Sequence, residues 1–311
     1  LNSFEKYRIS LGRFMSICNI FHYSTSIEDA LQTLGNSKGI AKVLAGGTDL
    51  ILDLQQGRHS PVDTLVDITN IPELNVLEYR DQKLFIGASV PHRMITNSPD
   101  VISHSQALAE ASGLIGGPQV RNVATLGGNV AHALPAADGT IALMAMDAKA
   151  EIATLEGRRM TPLKEIFRGP GKSTLDPKKE LLVGFYLSKK IENAGSSFKR
   201  IMRPQGVAIA ILNCGLWLER EGNIVKDIRI SIGPSGPVPR RLIEVENSLR
   251  GKQPSTEAIT EANIVLQEEA NFRTSRHRAS EEYRKEMAAV LLKNTLLAAW
   301  ERSGAEGEFN D

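Results

Sequence analysis

The sequence predicts an α+β protein: an N-terminal mixed domain, then a C-terminal antiparallel sheet with three helices. Three observations carry this. Residues 15–68 alternate short apolar runs with amphipathic stretches, the β-α-β-α-β rhythm of a small parallel sheet. From Val76 onward, apolar runs pair across short turn sequences, which signals hairpins and antiparallel strands. Beyond residue 190, strand-like runs give way to a Gly-Pro-rich stretch and three helical segments, two of them opened by serine or threonine caps.

In order along the chain, residues 1–14 (LNSFEKYRISLGRF) join no pattern and are expected to form an extension outside the fold. They lack the apolar run and small-residue cleavage site of a secretory signal. A strand follows Met15. Ser26 caps a helix with Glu28 and Asp29 in its first turn, Ala30, Leu31 and Leu34 as the buried stripe, and Gly35 as its end. Lys42–Ala45 is the next strand, Thr48 and Asp49 open a helix through Gln56, and Thr64–Ile68 completes the parallel unit. Val76–Tyr79 and Lys83–Ile86 form a hairpin around Arg80-Asp81-Gln82. Pro91 starts a short helix, and Val101–Leu114 reads as one helix. Gly139–Ala148 is a short helix with no charge until Asp147. A second hairpin turns at Glu156-Gly157, and Glu180–Leu187 is a further strand.

The expected organisation is therefore a domain over 15–190, with subdomains of about 15–70 and 71–190, a C-terminal domain over 191–303 and a tail over 304–311. In the C-terminal part, Phe198–Met202, Ala208–Glu219 and Ile224–Ile232 are strands. Arg240–Leu249 is a helix after Pro239, Ser255 or Thr256 caps the next, and Ser280 caps the last. On that last helix Tyr283, Met287, Val290 and Leu291 are expected to face the core.

Composition narrows the function classes. The 311 residues carry 37 basic and 36 acidic side chains, a net charge of +1, with no basic stripe of the kind that neutralises nucleic-acid phosphates. No apolar run approaches a membrane span. Two distant cysteines and six scattered histidines hold neither an iron–sulfur cluster nor a zinc ion, and reduced thiols point to the cytoplasm. Gly169–Thr174 (GPGKST) resembles the end of a P-loop, but Ile166 stands where the motif needs its first glycine, so it reads as a surface loop.

Two glycine pairs remain. Ile115–Asp138 (IGGPQVRNVATLGGNVAHALPAAD) is a long loop of small residues between patterned segments, and such loops are mostly functional. Gly127 and Gly128 permit φ > 0 and close ligand approach, while Thr125 and Asn129 supply polar groups. The run KVLAGGTDL at 42–50 is a strand–Gly–Gly–helix junction whose free N–H groups suit a phosphate or pyrophosphate. Each alone is equally consistent with an ordinary turn; together they favour a dinucleotide.

The motifs AGGTDL (45–50), IPEL (71–74), IGASV (86–90), QVRNVATLGGN (119–129), SFKRIMR (197–203) and SEEYR (280–284) resemble one family. It is the FAD-binding medium subunit of the molybdenum hydroxylases, which include xanthine dehydrogenase and carbon monoxide dehydrogenase. The resemblance implies a bilobal FAD-binding domain of the vanillyl-alcohol oxidase type followed by a C-terminal α+β domain. It further implies that Leu44, Ala45, Gly46, Gly47, Thr48, Asp49 and Leu50 clasp the FAD pyrophosphate from one side, and Ala124, Thr125, Leu126, Gly127, Gly128 and Asn129 from the other. Ile115 would pack near the flavin ring and Asp138 would make a polar contact, with Leu182 and Lys199 as further cofactor positions. Core packing is the plainer reading of Ile115 and Leu182, and a solvated strand lysine that of Lys199. Gly117, Gly139 and Thr140 depart from the family's usual residues without removing a phosphate-contacting glycine.

The resemblance also implies the partners: a two-iron–two-sulfur small subunit and a molybdopterin large subunit, in a dimer of heterotrimers. Electrons would pass through the FAD to NAD or another acceptor, and no catalytic acid, base or metal ligand is expected on this chain. Two other readings stand beside it, a self-sufficient FAD-dependent oxidase or reductase and a non-catalytic assembly subunit.

Overall fold

The computed structural model describes residues 17–202, 209–276 and 278–304; the expectations for residues 1–14, and for the tail beyond Gly304, fall outside these.

A small parallel sheet comes first. Strands β1 (Cys18–Tyr23), β2 (Ala41–Leu44) and β3 (Val62–Asp67) lie in the order β1-β3-β2, linked by helices α1 (Ile27–Asn36) and α2 (Leu50–Gln55). The Ser26 hydroxyl accepts from the Asp29 N–H, and Ala30, Leu31 and Leu34 are buried as the spacing requires. Helix α1 runs past Gly35 to Asn36, because a glycine costs only about 1 kcal/mol inside a helix and need not end it.

The second sheet has five antiparallel strands in the order β4-β5-β10-β6-β7. Its hairpins are β4 (Leu77–Arg80) with β5 (Lys83–Gly87), and β6 (Lys149–Thr154) with β7 (Gly157–Pro162). Asp81 and Gln82 both take positive φ, the turn geometry that matches strand twist. Between the hairpins run the helices α3 (His92–Asn97), α4 (Pro99–His104), α5 (Gln106–Leu114), α6 (Pro118–Arg121), α7 (Leu126–Ala131) and α8 (Asp138–Ala145). The predicted single helix over 101–114 is thus two. Ser105 leaves helical geometry and its hydroxyl caps α5, which offers the backbone an alternative to continuing α4. The GPGKST stretch joins β8 (Phe167–Gly169) to β9 (Lys172–Ser173) in a two-stranded ribbon.

Central strand β10 (Leu181–Leu187) is buried on both faces, consistent with its continuous apolar sequence. A bulge at Val183 sends that side chain into the core beneath α1, while Leu182 and Phe185 share the opposite core with α5, α7 and α8.

The C-terminal sheet has the order β11-β12-β13, from β11 (Ala194–Met202), β12 (Ala210–Glu221) and β13 (Ile224–Gly233). One face packs on the N-terminal domain through Phe198 and Trp217; the other carries α9 (Ile243–Leu249), α10 (Thr256–Glu269) and α11 (Glu281–Arg302). Helix α9 starts three residues later than predicted, because Arg241 pairs with Ser231 as a strand bridge. The buried face of α11 differs from expectation too. Tyr283 and Val290 are exposed, while Arg284, Ala288, Leu291, Leu292, Thr295, Leu296 and Ala299 face inward. Of the expected residues Leu291 is buried and Met287 packs against the core, but the wider stripe contains an arginine and a threonine, so apolarity alone locates only part of the face. Ser280 accepts from the Tyr283 N–H at 3.2 Å, and Ser280→Ala is expected to lower stability by about 1 kcal/mol in urea titrations.

All eight residues of α8 are buried, since the helix is wedged between the five-stranded sheet's helical layer and the C-terminal sheet. A helix apolar on every side requires such a position. Gly215 of β12 makes it possible: a Cβ there would lie 3.0 Å from the Ile141 carbonyl oxygen.

Candidate cofactor site

The two glycine loops meet backbone against backbone. A Cβ built on Gly46 would lie 2.0 Å from the Val123 carbonyl oxygen and 2.8 Å from the Ala124 Cα. No side chain larger than hydrogen fits there. Gly47 is required for another reason, its φ of +67°. On the second loop, a Gly127 Cβ would fall 2.6 Å from both the Cβ and the carbonyl oxygen of Ala88, and the Gly127 N–H donates to that oxygen at 2.9 Å. Gly128 meets only the Thr125 hydroxyl, at 3.2 Å, and is exposed.

This corrects the expectation that Gly127 and Gly128 use positive φ. Both lie in the first turn of α7, capped by Thr125, whose hydroxyl accepts from the Gly128 N–H at 3.1 Å. The long loop is likewise not structureless, for Pro118 and Thr125 each start a short helix within it. Asn129 is committed to the scaffold: its side-chain oxygen accepts from the N–H and hydroxyl of Thr140, at 3.0 and 3.1 Å, tying α7 to α8.

An unbroken row of free donors lies on the first loop. Among the described residues, the N–H groups of Gly46, Gly47, Thr48, Asp49 and Leu50 donate to no protein acceptor. Consecutive free backbone N–H groups form a concave anion cradle. Helix α2 has only six residues, so these local donors, rather than a long helix dipole, are what an anion would meet there. Asp49 reaches across to the second loop, where its carboxylate lies 3.8 Å from His132 Nδ1.

Ile115 is half-buried at the end of α5, and its carbonyl and that of Gly116 accept from Arg121 Nη1 at 3.1 and 2.8 Å. Asp138, at the start of α8, is buried beneath the C-terminal sheet. Arg200 Nη1 donates to one carboxylate oxygen and Asn213 Nδ2 to the other, both at 2.6 Å. Burial pushes the Asp138 carboxyl above its ordinary range, opposed by the charge of Arg200 and the hydrogen bonds of both partners.

Arg200 and Asn213 were missed from sequence; a basic residue and an amide on neighbouring strands give no signal until strand register pairs them. Leu182 lies in the core shared with Leu126, one residue from Val183, whose carbonyl accepts from the Ala88 N–H. Lys199 stands apart. It shares strand parity with Ile201, which packs toward the C-terminal helices, so it lies on the sheet face opposite Arg200 and Asp138.

Fold and site together define a mixed helix-and-strand protein with a row of free backbone N–H groups beside two closely packed glycine loops. The model for the FAD binding domain in molybdopterin dehydrogenase matches residues 14–187, and that for the CO dehydrogenase flavoprotein C-terminal domain matches residues 196–299. The chain belongs to this family, as an FAD-binding subunit of the molybdenum hydroxylase type. It is 32% identical over 292 residues to the putative xanthine dehydrogenase FAD-binding subunit of Escherichia coli K12, covering 92% of this chain and 97% of that one. It is 31% identical over 285 residues to the carbon monoxide dehydrogenase medium chain of Hydrogenophaga pseudoflava, covering 91% and 97%. Among solved structures, carbon monoxide dehydrogenase from the same organism superposes with a TM-score of 0.85 at 29% identity, covering 91% of this chain and 97% of that one. Reconstituted CO dehydrogenase from Oligotropha carboxidovorans does so with a TM-score of 0.85 at 25% identity and the same coverage.

Proposed function

We propose that this chain is the electron-transfer subunit of a multi-subunit molybdenum hydroxylase, taking electrons from a two-iron–two-sulfur subunit and delivering them to NAD or another acceptor. The oxidation of substrate belongs to a molybdopterin subunit. The observation that carries the reading is the row of unpartnered N–H groups at Gly46–Leu50, held against the second glycine loop. A pyrophosphate would satisfy those donors, so the residues present fit FAD.

In this reading the Leu44–Leu50 and Ala124–Asn129 segments hold the pyrophosphate. Ile115 packs at the ring, Asp138 makes a polar contact, and Leu182 contributes from the adjoining strand, whereas Lys199, on the face toward the C-terminal helices, points away from this site. Bound flavin exchanges single electrons with a cluster and gives up a pair to an acceptor; the protein's part is to bind, orient and tune it. Arg121 fixes the turn that carries Ile115, and Arg200 with Asn213 fixes the Asp138 carboxylate. The vanillyl-alcohol oxidase-type bilobal arrangement, the dimer of heterotrimers and the cytoplasmic location belong to the same proposal. Among the described residues, no helix is long and apolar enough to cross a membrane.

The test is anaerobic bleaching of the flavin spectrum. The isolated FAD-loaded chain should not be bleached by the assembly's organic substrate, yet once chemically reduced it should pass electrons to a dye. Adding the iron–sulfur and molybdopterin subunits should restore bleaching by substrate. If the isolated chain is bleached by substrate, it is a self-sufficient flavoenzyme and electron relay is the wrong description.

A further inference from the structure

Arg200 is held at the joint between the domains by one strong contact and one weak one. Its side chain is 6% exposed, and Nη1 donates to the Asp138 carboxylate at 2.6 Å. On another edge of the guanidinium, Nη2 donates to the sulfur of Met202 at 3.1 Å, and the buried Nε has no hydrogen-bond partner. Nε and Nη2 together form one edge of the planar group, a two-donor fork of fixed geometry suited to a strong oxygen acceptor. A thioether is a weak acceptor, and here it meets only one of the two donors. A buried donor left unmet is unfavourable, so this edge of Arg200 lacks the acceptor it is shaped for.

That acceptor can be made from the side chain already in place. Met202 ends β11 and is 42% exposed, so its side chain is open to small oxidants in solvent. Nothing has to enter the buried fork, because the sulfur already touches it. Methionine is unbranched with three rotatable side-chain bonds, so the sulfur can step back on its open side to make room for one more atom. Met94 and Met160 are more exposed, at 51% and 48%, yet among the described residues only the sulfur of Met202 accepts a hydrogen bond.

We propose that Met202 is an oxidation site, and that its sulfoxide oxygen completes the Arg200 fork and tightens the joint between the domains. The oxidant is hydrogen peroxide. The sulfur lone pair attacks one peroxide oxygen, the O–O bond breaks and an S–O bond forms. Sulfur loses two electrons and peroxide gains them; the hydroxide that departs takes the proton left on the transferred oxygen and leaves as water. The product oxygen is a strong acceptor, and Arg200 Nε and Nη2 both donate to it. Of the two sulfoxide epimers, the one whose oxygen faces the guanidinium makes these bonds. Sulfoxidation ordinarily puts a polar group where an apolar one packed and so loosens a fold. At Met202 it supplies a missing acceptor, and the sign is reversed.

The test treats the chain with hydrogen peroxide, locates added oxygen by peptide mass spectrometry and follows thermal unfolding. The Met202 peptide should gain one oxygen, and Tm should rise by about 2–4 °C, the effect of one charge-assisted hydrogen bond in a protein of this size. Methionine sulfoxide reductases should return both the mass and the Tm to their starting values. Met202→Gln offers a carbonyl oxygen in place of the sulfoxide's and should show the higher Tm before any peroxide is added. Met202→Leu should show neither the higher Tm nor a response to peroxide, while Met94→Leu/Met160→Leu should respond as wild type does. The proposal is overturned if Met202 stays unoxidised while Met94 and Met160 gain oxygen, or if its oxidation lowers Tm or leaves it unchanged. It is equally overturned if Met202→Leu still gains stability from peroxide, or if Met202→Gln is no more stable than Met202→Leu.

Discussion

Gly46→Ala is expected to abolish flavin binding, lowering FAD affinity more than 100-fold, or about 2.8 kcal/mol. The added methyl would sit 2.0 Å from the Val123 carbonyl oxygen and 2.6 Å from its carbon. Both are backbone atoms of a segment fixed on each side, by the Ala124 N–H donating to Val120 and the His92 N–H to Ala124. Neither can rotate away as a side chain would. The loops must separate, with an overpacking cost of about 1–3 kcal/mol or more. Gly128→Ala is the informative contrast. Its methyl meets only the Thr125 hydroxyl at 3.2 Å, and alanine favours the helical conformation Gly128 already has. That variant should fold with near-wild-type Tm, so a loss of flavin from it would report a contact with the ligand. The ratio of flavin to protein absorbance, with near-ultraviolet circular dichroism as the folding control, separates the two. A fully yellow Gly46→Ala protein would mean that the contact between the loops does not shape the site.

The contrast between these glycines shows where sequence reading stops. A Gly-Gly pair is visible in a sequence, but its physical reason is not. Gly46 needs space, Gly47 needs positive φ, Gly127 needs contact with Ala88, and Gly128 needs none of these within the protein. Local rules served well where the cause was local. The caps at Ser26, Ser255 and Ser280, the hairpins, and the apolar helix α8 all follow from neighbours in the chain. They failed where a distant partner decided the outcome. Arg284 and Thr295 take inward positions on α11 that the apolar pattern would not assign, and Arg284 donates to the Ile211 carbonyl of β12. The His104–Ser188 and Asp138–Arg200–Asn213 contacts likewise join residues 84, 62 and 75 positions apart, and only the packed domains bring them together. The FAD family itself was legible because its motifs are short and local, while the side chains that brace the site are not.

The second large effect is expected at Arg200. The side chains of Arg200 and Asp138 are 6% and 8% exposed and join the C-terminal sheet to α8 of the N-terminal domain. Arg200→Met keeps much of the side chain's bulk but removes the charge, leaving a buried carboxylate with Asn213 as its remaining partner. Breaking one side of a buried ion pair costs about 3–5 kcal/mol, so the variant should lose that much in urea titrations at pH 8. The loss should depend on pH in a definite sense. In the wild type the Asp138 pKa is already raised above its ordinary 3.8, burial outweighing the two partners. The folded state therefore holds that proton more tightly than the unfolded state. Stability from this group is full below the ordinary value and declines as pH rises through the raised one. Removing Arg200 takes away an influence that lowers the pKa, so the decline steepens and extends to higher pH. The variant should thus recover relative to wild type as pH falls from 8 to about 5, because a protonated Asp138 no longer needs a counter-charge. Asp138→Asn/Arg200→Met, with no carboxylate to titrate, should show a smaller loss without that recovery. An Arg200→Met penalty of equal size at both pH values would mean that the cost is lost packing at β11 and that the charge of Asp138 does not matter to the joint between the domains.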